Sequence, residues 1–140
     1  MGEVAEALSK VPLFQDVPSK TLDRLERMAN TRTLKAGKEI VKEGTEGVGF
    51  FLITSGKVAV TRGGKELATL GEGSSFGEMA LVDNFRRSAT VTATEDTTVI
   101  ALLRSDFMAE LRGDADLAIK MLKIVARRLH AADERLAAVD

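Results

Sequence analysis

The chain has 140 residues, 44% hydrophobic and 29% charged, with a formal net charge of −1. That composition excludes a disordered or membrane-dominated polypeptide, and 20 basic against 21 acidic residues excludes the basic excess of a duplex-DNA binder. Cysteine is absent, which excludes disulfides and thiolate metal sites. No membrane-length apolar run and no signal-peptide start can be read, so we expect a cytoplasmic protein without a membrane segment.

The length suits one domain over residues 1–140, in three parts. Residues 1–30 read as helices. Val4, Ala7 and Leu8 share a face of a first short helix, Pro12 and Pro18 break the chain, and Pro18-Ser19 opens a second helix carrying Leu22, Leu25, Met28 and Ala29. Residues 31–103 read as short strands near 31–34, 39–42, 49–54, 57–62, 65–70, 89–94 and 98–103, punctuated by glycines. Arg62-Gly63-Gly64-Lys65 predicts a two-residue hairpin, because adjacent glycines accept the positive φ of such a turn. This pattern argues for a β-sandwich, jelly roll or small barrel. Over residues 104–140, Ser105-Asp106 is expected to cap a short helix ended by Gly113, and Asp114 to start a long helix reaching about Val139.

The segment 73–91 carries the chemistry. Gly77 permits a sharp turn and close approach of a ligand to the backbone, and Glu78 to Leu81 then fit one helical turn. Arg87 follows six residues after Leu81; its guanidinium is a planar, permanent charge suited to phosphate, and Ser88 adds a hydroxyl. Ala89-Thr90-Val91 resumes a strand, so Glu78 and Arg87 are expected on one interrupted strand pair. A carboxylate beside a phosphate needs its own partner. An acid on a sugar hydroxyl next to a cation on a phosphate describes a ribonucleotide.

This segment resembles the phosphate-binding cassette of the cyclic nucleotide-binding domain family. That family includes bacterial catabolite activators, regulatory subunits of cyclic-nucleotide-dependent kinases and gated channels. The match is Phe76-Gly77-Glu78-x-Ala80-Leu81, five residues, then Arg87-Ser88-Ala89-Thr90-Val91-x-Ala93, and it extends to Leu34–Ile40 and Phe51–Val58. The resemblance implies an α+β fold: an eight-stranded antiparallel, jelly-roll-like β-roll over 31–103, flanked by N-terminal helices and by a short and a long C-terminal helix. It implies Arg87 on the cyclic phosphate and Glu78 on the ribose 2′-hydroxyl, with Phe76, Gly77, Met79, Ala80, Ser88 and Ala89 around them. Where many members have proline, this chain has Arg86, expected to face solvent. Ser88 resembles the bacterial cAMP-binding regulators, so cAMP is the expected ligand and cGMP the alternative. No cofactor, metal or catalysis is expected.

In the last helix Leu122, Val125, Leu129, Ala132, Leu136 and Val139 are spaced 3, 4, 3, 4, 3, an a/d seam, while Leu117, Met121 and Ile124 form a second face. Ala126-Arg127-Arg128-Leu129 resembles the dimerisation helix of the catabolite activators. The helix over 114–139 is read as core packing, as a lid over the base, or as a homodimer seam. Arg128 and Asp133 are the candidate base contacts, Asp133 lying where those regulators use a serine against adenine. The lone histidine, His130, excludes a histidine-rich jelly-roll metal site, and no serine has an evident histidine–acid partner. The glycine-rich stretch lacks the lysine of a nucleoside-triphosphate loop.

The expected function is ligand sensing, transmitted through the C-terminal helices. The alternatives are the sensor part of a catabolite-activator-type transcription regulator, and the regulatory domain of a channel, transporter or enzyme. This chain alone carries no DNA-reading element.

Overall fold

A computed structural model describes residues 2–81 and 86–139, apart from the side chains of Met79 and residues 136–139. Short apolar runs separated by glycine turns fold into eight strands: β1 (Asn30–Leu34), β2 (Glu39–Val41), β3 (Gly49–Ser55), β4 (Lys57–Arg62), β5 (Lys65–Gly71), β6 (Ser75–Phe76), β7 (Thr90–Ala93) and β8 (Thr97–Leu103). They form two four-stranded sheets, ordered β1-β8-β3-β6 and β2-β7-β4-β5, with every pairing antiparallel. This is the β-roll that the resemblance implied.

The reason for two sheets lies in the side-chain alternation. Phe51 and Ile53 of β3, and Val99 and Ala101 of β8, face Val58 of β4 and Val91 of β7 in one buried cluster. The residues between them, Phe50, Leu52, Ile100 and Leu102, are equally buried. Both faces of β3 and β8 are therefore covered, which explains the unbroken run Phe50-Phe51-Leu52-Ile53. Phe14 meets the outer face edge-on, its ring 5.7 Å from Phe50 and 6.0 Å from Phe107. Burying side chains of this size contributes about 1.5–3 kcal/mol each.

The hairpin between β4 and β5 turns on Gly63 and Gly64, with φ of 57° and 79°, the positive pair that the two-residue turn requires. The two-residue strand β6 escapes the sequence pattern because it is too short to show alternation. The strand after the cassette begins at Thr90, not Ala89, so Ser88 and Ala89 belong to the preceding loop.

α1 (Glu3–Ser9) buries Ala5 and Leu8, with Val4 and Ala7 half-buried on the side of the first sheet. α1 has no side-chain cap of its own; the Glu26 carboxylate accepts from the Ala5 N–H at 2.8 Å. α2 (Ser19–Met28) follows Pro18 as predicted and buries Thr21, Leu22 and Leu25. α3 (Arg104–Gly113) starts one residue earlier than the expected cap, placing Ser105 and Asp106 inside its first turn.

The chain divides into two compact units, residues 1–108 and 109–140. The second holds α4 (Ala115–Val139), capped by Asp114, whose carboxylate accepts from the Leu117 N–H at 3.1 Å. In α4 Leu117 and Met121 are buried, while Leu122, Val125 and Leu129 are 68%, 54% and 62% exposed. The two apolar faces read from the spacing thus differ sharply in exposure.

Candidate functional site

Arg87 sits just before β7, and its backbone is held in place by the loop preceding β3. Its N–H donates to the Thr45 carbonyl at 2.7 Å, and its own carbonyl accepts from the Gly44 N–H at 2.9 Å. The side chain is half-buried. Nη2 donates to the Gly49 carbonyl at 2.7 Å, and Cζ lies 5.9 Å from the centre of the Phe51 ring. Among the described residues the guanidinium meets a carbonyl and a ring face rather than a carboxylate. Burial pushes its pKa down, which records the cost of desolvating this charge.

Two glycines make the space for that guanidinium. Gly77 has φ +83°, and a Cβ there would collide with Arg87 Nη1 and lie 2.7 Å from the Gly49 carbonyl oxygen. A Cβ on Gly47 would lie 3.0 Å from Arg87 Nε and from the Ala80 methyl.

Glu78 opens a 3-10 turn, Glu78–Leu81, where one helical turn was expected. The Ser75 hydroxyl donates to its Oε1 at 3.1 Å. Phe76 stacks on Phe51 at 5.3 Å between centroids, in register across β3 and β6. Phe51 therefore contacts both Phe76 and Arg87. The Ala80 N–H donates to the Gly77 carbonyl at 3.1 Å, closing the turn, and Ala80 and Leu81 are buried. Ser88 is exposed, and its carbonyl accepts from Arg62 Nε at 2.8 Å. Ala89 is half-buried. Arg86 is exposed, as expected, and also donates from Nη1 to the Gly44 carbonyl at 2.7 Å. The Met79 side chain lies outside what the structure describes.

Glu78 and Arg87 do not lie on one interrupted strand pair. Glu78 follows β6, an edge of the first sheet, and Arg87 precedes β7, in the second. They are brought to the same place because Gly49, Phe51 and Gly77 lie beside Arg87. Gly47, Gly49 and Phe51 were not singled out for the site from the sequence. Their only signal is the glycine spacing before β3, which reads as ordinary turn punctuation.

A half-open cavity of about 600 Å³ lies away from Arg87, between α1 and the outer face of the first sheet. Leu52, Ile100, Val4 and Ala7 line it with Glu3, Lys10 and Glu72. Among the described residues no buried side-chain polar atom lacks a partner, and none of these carboxylates suits a phosphate, so we place the site at Arg87 instead. Also among the described residues, no cluster of three metal-ligating side chains occurs and no helix is long and apolar enough to cross a membrane. Arg128 and Asp133 are both exposed on α4, in the second compact unit. His130 Nε2 pairs with Glu134 Oε1 one turn on, at 3.0 Å.

Known proteins are similar to this chain in sequence and fold. The chain is 39% identical to a cyclic AMP receptor protein of Thermus thermophilus over 130 residues, 89% of this chain and 60% of that one. It is 38% identical to a cGMP-dependent protein kinase of Plasmodium berghei over 108 residues, 74% of this chain and 13% of the kinase. The N-terminal domain of a transcriptional regulator from Streptomyces coelicolor superposes with a TM-score of 0.86 at 28% identity, covering 93% of this chain and 94% of that domain. The chain thus spans less than two thirds of each of these two longer relatives. Residues 31–114, from β1 through α3, match the family profile described as cyclic nucleotide-binding domain, and the chain belongs to that family.

Proposed function

We propose that this chain binds a cyclic nucleotide, cAMP in the first place, and acts as a ligand-sensing regulatory module. One observation carries the reading: the half-buried Arg87 guanidinium, held against a carbonyl and a ring face, with its charge partly stripped of water. A phosphate anion is the partner that offsets such a charge, through bidentate hydrogen bonds that water supplies less well in a half-buried site. Glu78, fixed by the Ser75 hydroxyl, supplies an acceptor for the ribose 2′-hydroxyl. Phe76, Gly77, Met79, Ala80, Ser88 and Ala89 complete the surroundings. The role is binding rather than catalysis, and no cofactor is needed for it.

The preference for cAMP draws on the name of the Thermus relative and on serine at position 88; the kinase relative keeps cGMP as the alternative. Arg128 and Asp133 are the proposed base contacts. Closure of α4 over the base on phosphate capture is part of the proposal, and the ligand drives such a closure only through better contacts in the closed state. The exposed Leu122, Val125 and Leu129 favour a homodimer seam along α4. The likeness to the Thermus receptor protein favours a role as the sensor part of a catabolite-activator-type regulator over the regulatory domain of a channel, transporter or enzyme.

Isothermal titration with cAMP and cGMP tests the reading. Heat on cAMP addition, lost in Arg87→Ala, is expected. No heat and no shift in melting temperature at millimolar nucleotide would sink it.

A further inference from the structure

The segment 86–89 carries Arg87 and Ser88 but is not itself part of a strand; among the described residues its one ladder contact is a bridge between Glu46 and Arg86. Such a segment needs to be held from outside if it is to aim a side chain. One side is secured by the Thr45 and Gly44 backbone, as described above. The other side is secured by the tip of the β4–β5 hairpin. The ladder between β4 and β7 ends at Thr61 opposite Thr90. Arg62, one residue further, reaches past that end and donates from Nε to the Ser88 carbonyl at 2.8 Å.

The hairpin tip is itself fixed. The Gly63 N–H donates to Glu43 Oε1 at 3.0 Å, and the Glu43 N–H donates to the Thr90 hydroxyl at 2.9 Å. Arg62, Gly63, Glu43, Thr90 and Ser88 therefore form a closed circuit of contacts that takes in the chain immediately after Arg87. Arg62 and Glu43 are both exposed, so neither serves the core.

We infer that Arg62 is a positioning residue for the anion site, latching the β4–β5 hairpin onto the Ser88 carbonyl and so fixing the direction of Arg87. This rests on the reading of Arg87 as the phosphate ligand. Arg62 acts through the backbone at Ser88. Removing it leaves Arg87 intact but free to sample orientations that miss the phosphate, and the affinity falls by the population lost. Because the contact is on the surface, the fold loses little.

Calorimetric titration with cAMP of the wild type, Arg62→Ala, Arg62→Lys, Arg87→Lys and the Arg62→Ala/Arg87→Lys double variant tests this, with a thermal melt of each without ligand. Arg62→Ala is expected to bind roughly tenfold more weakly, the weight of one hydrogen bond from a charged donor, at a nearly unchanged melting temperature. Arg62→Lys recovers part of the loss, because an ammonium still donates to the carbonyl. In the Arg87→Lys background the Arg62→Ala penalty shrinks, as it must when one residue acts by aiming the other. Wild-type affinity in Arg62→Ala, or the same penalty in both backgrounds, overturns the latch while leaving the cyclic-nucleotide reading standing. A large drop in melting temperature that Arg62→Lys does not repair reduces Arg62 to a structural contact. No binding by the wild type overturns both readings together.

Discussion

Gly77 and Arg87 occupy one small volume, and the glycine exists there on two independent grounds. Its backbone is left-handed, with φ +83°, and its missing Cβ is the space that Arg87 Nη1 fills. The obstruction on the other side is the Gly49 carbonyl, 2.7 Å from where a Cβ would stand, which cannot swing away as a side chain can. Gly77→Ala is therefore expected to cost about 1–2 kcal/mol from the backbone alone, and to displace the guanidinium as well. Chemical denaturation and a cAMP titration of that variant check both effects. A variant that keeps wild-type stability and affinity contradicts the account.

The assignment of Glu78 to the sugar predicts a ligand-specific loss. Glu78→Ala should weaken cAMP binding by about tenfold, but should matter much less for the 2′-deoxy cyclic nucleotide, which lacks the hydroxyl. Ser75→Ala, which removes the hydroxyl that donates to the Glu78 carboxylate at 3.1 Å, should give a smaller loss in the same direction. Equal losses with both nucleotides would assign Glu78 a different partner.

Asp96 gives the fold a predictable response to acid. Its carboxylate accepts from the Ala36 N–H at 3.0 Å and lies 3.6 Å from Lys35 Nζ. The Ala36 N–H, first, and the Lys35 charge, second, hold its pKa below the ordinary value of 3.8. A carboxyl depressed in the folded state stabilises it above the unfolded pKa, and that contribution is lost as pH falls through the lower folded value. Asp96→Asn should thus be less stable than wild type at pH 7, with the two curves converging below about pH 4. Urea melts across that range measure the gap. A gap that widens in acid refutes the assignment.

Glu26 caps a helix to which it does not belong. Replacing it by alanine leaves the Ala5 N–H of α1 without its acceptor and should cost about 1 kcal/mol, read as a lower melting temperature. Glu26→Gln, which keeps an acceptor oxygen, should recover much of it.

The exposed face of α4 predicts self-association. Leu122, Val125 and Leu129 are more than half exposed at a/d spacing, an arrangement that favours burial against a second copy. Sedimentation of the wild type should show a dimer, and Leu122→Glu/Leu129→Glu should be monomeric. A wild-type monomer at high micromolar concentration removes the seam.

Much of this was legible in the sequence because local rules sufficed. Gly63-Gly64 fixed a hairpin, since only that turn needs two positive φ values in succession. Asp114 marked the start of α4 because a carboxylate satisfies an unpaired N–H wherever a helix begins. The spacing from Phe76 to Val91 singled out Glu78 and Arg87 as candidates because each role needs a particular side chain, and side chains are what a sequence displays.

The chain by itself determined which residues carry charge to the site and which turns let the strands form. Tertiary structure alone decided that Glu78 and Arg87 arrive from different sheets, that the Gly49 carbonyl and the Phe51 ring receive the guanidinium, and that Arg62 reaches the Ser88 carbonyl. The physical reason is that these partners are backbone atoms, ring faces and missing side chains. They gain meaning only when segments some 10 to 40 positions apart are packed within hydrogen-bond reach, and residue identity alone does not encode that distance.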